Sequence, residues 1–395
     1  MYHLPVKSSR HRPCVVPANV DHTRYANYRP GQRPGRFVLN GYCVHALTRK
    51  VLPSIPRFTL LAGLTLITLV HTFSAVAVLA TESQIMPLAD KSLLLDGQVI
   101  GDRIVVVGER GHVLVSEDDG RSWVQQPVPT RVTLTSVFFT DPANGWAAGH
   151  DSMILRTSDG GRHWHEVYSD PEDERPILDL WFKDALHGYA IGAYGLFLKT
   201  DDAGKSWQDV DFNPATLILD HMNNDDPWSK EDVWVDFHLN QISATENGRI
   251  LIAAEAGNIY RSDDGGRSWL SLPSPYEGSF YGSLALGRGK VLLFGLRGHL
   301  FISENTGTSW APVVSNTQAT LNDGIRLRDG RTVLVGLAGT LLTSEDQGQS
   351  FERHAQADRA GIARVLQTND GALLLIGEMG VKRLELPGAD GETEP

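Results

Sequence analysis

The chain has 395 residues, 41% of them hydrophobic, with 39 Gly, 20 Pro and 2 Cys, which fits a turn-rich globular protein of one large domain or two ordinary ones. Cys14 and Cys43 both lie in the first 80 residues, so a disulfide framework or a zinc–thiolate site is excluded from the main body. Past Ala80 the formal charge is −20, which repels phosphate backbones and anionic lipid and excludes nucleic acid as a partner.

Residues 1–57 are rich in Arg, Pro and His, show no helical or strand periodicity, and are expected to be disordered or to lie upstream of the true start. No Met occurs between Met1 and Met86, so translation is expected to begin at Val51 or Leu52; N-terminal sequencing of the precursor tests this. Residues 58–80 (FTLLAGLTLITLVHTFSAVAVLA) carry no charge and follow Arg49, Lys50 and Arg57. That is a signal peptide ending on Val78-Leu79-Ala80, or an anchor long enough to span a bilayer. His71, Thr72 and Ser74 weaken it as a permanent span and favour cleavage, and either form implies export to the periplasmic side.

Residues 81–387 are built from repeats. A pattern S-x-D-x-G-x-S-W appears at 116–123 (SEDDGRSW), 157–164 (TSDGGRHW), 200–207 (TDDAGKSW) and 262–269 (SDDGGRSW). Weaker copies follow at 303–310 (SENTGTSW) and 344–351 (SEDQGQSF). The final aromatics Trp123, Trp164, Trp207, Trp269, Trp310 and Phe351 are 41, 43, 62, 41 and 41 residues apart. Upstream of each lies a second marker, a small residue and then Gly before a short apolar strand, as in GERGHVLVS from Gly108. A seventh marker, GEMGVKRLE from Gly377, has no box after it, so the units number seven. Each reads as four short strands, in the second unit 134–139, 145–149, 153–157 and 164–168. The fold class is therefore all-β, a single seven-bladed β-propeller with Asp-box repeats. The seventh unit lacks a fourth strand, and Gln84 to Leu88 is expected to supply it from the N-terminal side. Residues 388–395 read as a disordered tail.

The box aspartates Asp118, Asp159, Asp202, Asp264 and Asp346, with Asn305 in the fifth copy, read as turn-formers. A short carboxylate accepts hydrogen bonds from turn N–H groups, Gly supplies positive φ, and the aromatic buries its ring. Six copies spread around a ring cannot converge on one catalytic site. No cofactor, no catalytic residue and no metal are expected; Asp220, Asp225 and Asp226 lack the spacing of a calcium loop.

The boxes resemble those of sialidases and other BNR-repeat proteins. With the GWAAG strand at 145–149, the longer unit resembles more closely the photosystem II assembly/stability factor family, over about residues 90–386. That resemblance implies a propeller delivered to the lumenal or periplasmic side of a membrane, acting there as a non-catalytic scaffold. The partner would be a protein, including a membrane protein complex, and the chain itself is expected to be a monomer. The alternative is a glycan-active BNR-repeat hydrolase or lectin. A sialidase, however, needs an arginine triad and a Tyr–Glu nucleophile pair, and Arg103-Ile104-Val105 lacks the Pro of the usual Arg-Ile-Pro segment.

Propeller ligands bind where inner strands and their feeding loops converge. Those segments would bring Arg175, Asp179, Trp234, Asp236, His238, Tyr281, Asn322, Asp323 and Arg364 toward one end of the channel. The 62-residue interval contains an insertion over 213–233, carrying Trp228, Asp225 and Asp226, which is a second candidate docking element.

Overall fold

The structure, a computed structural model, describes residues 82–216 and 237–385. The expected signal segment, most of the 213–233 insertion, and Trp228, Trp234, Asp225, Asp226 and Asp236 lie outside these residues. The described strands form seven separate sheets in chain order, the blades of a propeller, antiparallel throughout but for one added strand in the fourth. In blade 1 the strands Leu94–Ile100, Arg103–Gly108, Val113–Ser116 and Val124–Gln126 pair in sequence order, so the first is innermost and the last outermost. Blades 2 to 6 repeat this over 134–168, 177–209, 239–271, 280–312 and 321–355.

The second strand of each blade is buried on both faces, as in Gly145–Gly149 and Ile250–Ala254, because neighbouring blades cover it from either side. That is why these strands read as unbroken apolar runs, whereas the outermost strands are largely exposed. The second-strand Gly of each marker answers a close approach. A Cβ on Gly149 would stand 2.0 Å from the carbonyl oxygen of Thr133, at the entry to the inner strand. Blade 4 places Ala254 there instead, fully buried.

Two sheets depart from the repeat. Blade 4 has five strands, because Ala215–Thr216 pairs parallel to its outer strand Leu270–Ser271. The start of the insertion is thus sheet edge rather than loop. Blade 7 has three strands among the described residues, Ile362–Gln367, Leu373–Gly377 and Gly380–Leu384.

The expectation that Gln84 to Leu88 completes blade 7 is not met: this segment lies along blade 1 instead. The Ser83 N–H donates to the Val128 carbonyl at 2.8 Å, and the Met86 N–H donates to Gln125 Oε1 at 2.7 Å. Pro87 has no N–H to give a ladder, and the Gln125 amide replaces a strand partner by also donating to the Gln84 carbonyl at 2.8 Å. Only the following 3-10 turn, Ala89–Lys91, reaches blade 7, where Ala89 is buried in one cluster with Val381. The ring closes by side chains: Leu94, Ile104, Val106 and Leu114 of blade 1 pack against Leu366, Leu374 and Ile376 of blade 7.

Candidate binding face and central channel

Each inner strand opens on a buried apolar residue, then a register shift turns the residue two positions on toward the channel. Around the ring those residues are Asp96, Ser136, Asp179, Gln241, Gly282, Asp323 and Arg364. They form a belt of hydrogen bonds from blade to blade. Asp96 Oδ2 accepts from the Val137 N–H at 2.7 Å, and Ser136 Oγ accepts from the Leu180 N–H at 3.2 Å. Asp179 Oδ2 accepts from the Ile242 N–H at 2.9 Å, and Gln241 Oε1 from the Ser283 N–H at 2.6 Å. Asp323 Oδ2 accepts from the Val365 N–H at 2.9 Å. Arg364 then closes the circuit, with Nε 3.1 Å from Asp96 Oδ1 and Nη1 3.2 Å from Asp323 Oδ1. Inner-strand N–H groups have no strand partner on the channel side, and the belt satisfies them. Among the described residues the one gap is at Gly282, which has no side chain to offer.

The belt holds three carboxylates and one cation. Burial, then the negative charge of Asp96, pushes the Asp179 carboxyl up to about 7. Burial also raises Asp323 against the pull of Arg364, and the surrounding carboxylates keep Arg364 firmly charged. Asp179 thus titrates where a general acid would. Its Oδ1 nevertheless accepts from Ser136 Oγ at 2.9 Å and its Oδ2 is held by blade 4, so the group serves as a strut between blades 2, 3 and 4.

Of the residues expected at the channel, Asp179, Asp323 and Arg364 come together there. Asn322 donates to the Ile362 carbonyl at 2.8 Å, stitching blade 6 to blade 7, and Tyr281 is exposed at the head of the blade 5 inner strand. His238 packs edge-on to Tyr194, 4.9 Å between ring centres, at the blade 3 turn. Arg175 is not at the channel: it pairs with Asp173 at 2.6 Å and with Asp209 on the outermost strand of blade 3 at 2.7 Å. Asp173 stands two residues before it and holds the guanidinium outward. Asp96, Ser136 and Gln241 were not anticipated. Their signal was the fixed offset of two from the apolar residue opening each inner strand.

The two faces of the ring differ. Connections between blades and the turns after each second strand share one face; the Asp-box turns lie on the other. The first face carries exposed Tyr194, Phe237, Tyr281, Val314, Leu337 and Met379. The insertion over 213–233 falls in the sequence between blades 3 and 4, and past it the Phe237 carbonyl accepts the Gly195 N–H at 3.0 Å.

On the opposite face the box side chains are tied into their turns. Asp202 Oδ1 accepts from the Lys205 and Ser206 N–H groups, both at 3.0 Å, and Oδ2 from Ser206 Oγ at 2.7 Å. Asp118, Asp159, Asp264 and Asp346 make equivalent contacts. Asn305 keeps the Ser309 N–H bond at 2.8 Å without a charge. Trp164, Trp207, Trp269 and Phe351 are buried, while Trp123 and Trp310 are half-buried. Each buried indole stabilises by roughly 2–3 kcal/mol. The box turn also meets the preceding blade: the Trp146 indole N–H donates to the Gly204 carbonyl, and the Tyr189 hydroxyl to the Gly265 carbonyl.

The profile of the photosynthesis system II assembly factor YCF48 family matches residues 115–215 and 168–336, together more than half of the chain. The chain belongs to the YCF48 family. A photosystem II stability/assembly factor, HCF136, from Cyanidioschyzon merolae is 30% identical over 115 residues, 27% of this chain and 26% of that protein. A photosystem II assembly lipoprotein Ycf48 from Synechococcus is 38% identical over 52 residues, 13% of this chain and 16% of that protein. The matched stretches therefore span about a quarter or less of these curated YCF48 relatives. A solved structure described as YCF48 bound to D1 peptide superposes with a TM-score of 0.58 at 18% identity, covering 78% of this chain and 97% of that one. The YCF48 fold is thus shared across the whole ring.

Proposed function

We propose that this chain is a non-catalytic, extracytoplasmic scaffold that binds a protein partner and assists the assembly or stability of a membrane protein complex. Membership of the YCF48 family carries this reading. It is supported by the structural relative described as bound to a D1 peptide, and by the cyanobacterial relatives being lipoproteins. The charge-free stretch at 58–80 suits export with or without a retained anchor. The exposed apolar residues of the first face are a surface available to a partner, and the insertion over 213–233 is a second candidate docking element by its place in the sequence. The channel offers less, because its carboxylates and Arg364 bind one another and the backbone.

The test uses the full chain with and without residues 213–233, immobilised and exposed to solubilised native membranes. The intact chain is expected to retain a membrane protein that the deletion retains less well. Retention by neither would remove the reading.

A further inference from the structure

Eleven large apolar side chains are exposed among the described residues, and eight of them stand singly along the chain. The other three fall within four consecutive residues: Ile85 is 60% exposed, Met86 38% and Leu88 70%, with exposed Pro87 between them. Single exposed apolar residues are ordinary, whereas a contiguous group marks an interaction surface. The group is fixed in place through its backbone. The Ser83 N–H donates to the Val128 carbonyl, and the Gln125 amide clasps both the Gln84 carbonyl and the Met86 N–H. Arg131 Nε donates to the Glu82 carbonyl at 2.8 Å. The Met86 and Leu88 carbonyls accept the Ala89 and Lys91 N–H groups at 3.2 and 3.0 Å. Val128 and Leu272, just past the outermost strands of blades 1 and 4, are by contrast buried. Here the backbone is tied down beside the outermost strand of blade 1, on the rim of the ring, and the apolar side chains stay outside.

We propose that Ile85, Met86, Pro87 and Leu88 insert into the surface of a lipid bilayer, so that the ring stands on the membrane by the rim of blade 1. The charge-free stretch 58–80 ends five positions before Ile85, at most about 18 Å of extended chain. A chain retained by that stretch therefore keeps this rim at the bilayer, and the tether raises the effective concentration of a contact that is weak alone. Residues 83–89 carry no charge, and the body past Ala80, at net −20, is repelled by anionic lipid. The contact is thus apolar and suits neutral lipid. Backbone entering an acyl layer must bring its polar groups already bonded, which Gln125 and the turn at Ala89–Lys91 accomplish for Gln84, Met86 and Leu88. A ring standing on its rim leaves both faces reachable from the side. The proposal rests on export of the chain and concerns a different surface from the face available to a protein partner.

The test places an environment-sensitive dye on Leu88→Cys in the full chain, with Cys14→Ser and Cys43→Ser so that no other thiol is labelled, reconstituted in phosphatidylcholine vesicles. The emission is expected to shift to the blue. Lipids spin-labelled on the acyl chain are expected to quench it several-fold more strongly than the same dye on exposed Arg267→Cys, in the blade 4 box. Ile85→Ser/Met86→Ser keeps the tether and the backbone bonds; it is expected to leave the melt unchanged and to cut quenching at position 88 several-fold. Emission that vesicles do not change overturns the proposal. So does quenching that the double variant leaves intact, which would assign the contact to the tether. A dye that stays in water on protein-free vesicles yet is buried on native membranes also overturns it, since the occupant would then be a protein. A chain whose dye never meets lipid but which retains a membrane protein from solubilised membranes loses the rim and keeps the scaffold reading. Lipid contact without such retention keeps the rim and removes the scaffold reading.

Discussion

Arg383 donates from Nη1 to the backbone carbonyl oxygen of Asp119 at 3.0 Å, joining the last strand of the ring to the first Asp-box turn across 264 positions of sequence. The same joint recurs inside the ring, where Arg156 reaches the Ala203 carbonyl and Arg261 the Thr306 carbonyl from equivalent third-strand positions. Blade 7 is therefore fastened to blade 1 as internal neighbours are. Arg383→Gln is expected to cost about 1–2 kcal/mol, the worth of a charge-assisted hydrogen bond, and to lower Tm by a few degrees. Circular dichroism melts would show it; a Tm within a degree of wild type would contradict this account of closure.

Removing residues 82–88 is expected to change Tm little. Most of that segment is exposed, with only Ser83 buried. Extending the deletion through Ser92 removes buried Ala89 and the Ser92 hydroxyl bonded to His112 at 2.8 Å, and is expected to cost more. Comparing the two truncations by thermal unfolding locates where the N-terminal segment begins to matter.

Acid should unfold the ring through the boxes. Ser122 holds Asp118 down to about 2 through its hydroxyl and N–H, Ser206 does the same to Asp202, and Ser350 to Asp346. The folded pKa lies below the unfolded one, so this contribution is full above about pH 4 and is lost as pH falls through about 2. Asn305 cannot titrate. Asp202→Asn is therefore expected to weaken the fold at pH 7 yet flatten its stability loss between pH 4 and 2, as urea midpoints at each pH would read.

Asp179 has the opposite sign. Its folded pKa is raised to about 7, so its contribution is full below about pH 4 and is lost as pH rises through 7. Asp96 and Arg364 face it from blades 1 and 7 with opposite charges. Asp179→Asn is expected to raise Tm at pH 8 relative to its effect at pH 5, by about 2–5 °C. Equal shifts at the two pH values would refute the strained carboxylate.

Gly204 has φ +63, and a Cβ there would stand 2.0 Å from the Trp146 indole nitrogen of the preceding blade. Gly204→Ala strains the backbone and displaces the indole at once, and is expected to cost roughly 2–4 kcal/mol. Gly248→Ala is the control, since it shares positive φ but meets nothing within 4 Å. Melts that drop equally would assign the loss to backbone strain alone.

Blade number was legible because Gly108, Gly149 and Gly377 mark a steric constraint that every second strand meets, box or no box. The boxes were legible because Asp202 and its counterparts complete their turns with neighbours at fixed offsets. The channel belt was only partly so. Asp96, Ser136 and Gln241 look ordinary within their own strands, and their partners, such as Val137 and Ser283, lie about 40 residues away. Arg175 misled because proximity in sequence to an inner strand does not fix where a long side chain points. Gln84 to Leu88 resembled an outer strand in composition, but Pro87 and the reach of Gln125 direct it to the blade beside it.

Gly282 leaves the seam between blades 5 and 6 without the polar strap that the other seams carry at the channel. Apolar packing of Leu292 and Phe294 against Leu321 and Leu334 holds it there. A cavity of about 870 Å³ opens along this same seam, with Arg297 on one bank and Arg353 on the other. With no strap at the channel and a void on the outer side, this seam is where the ring should part first under load.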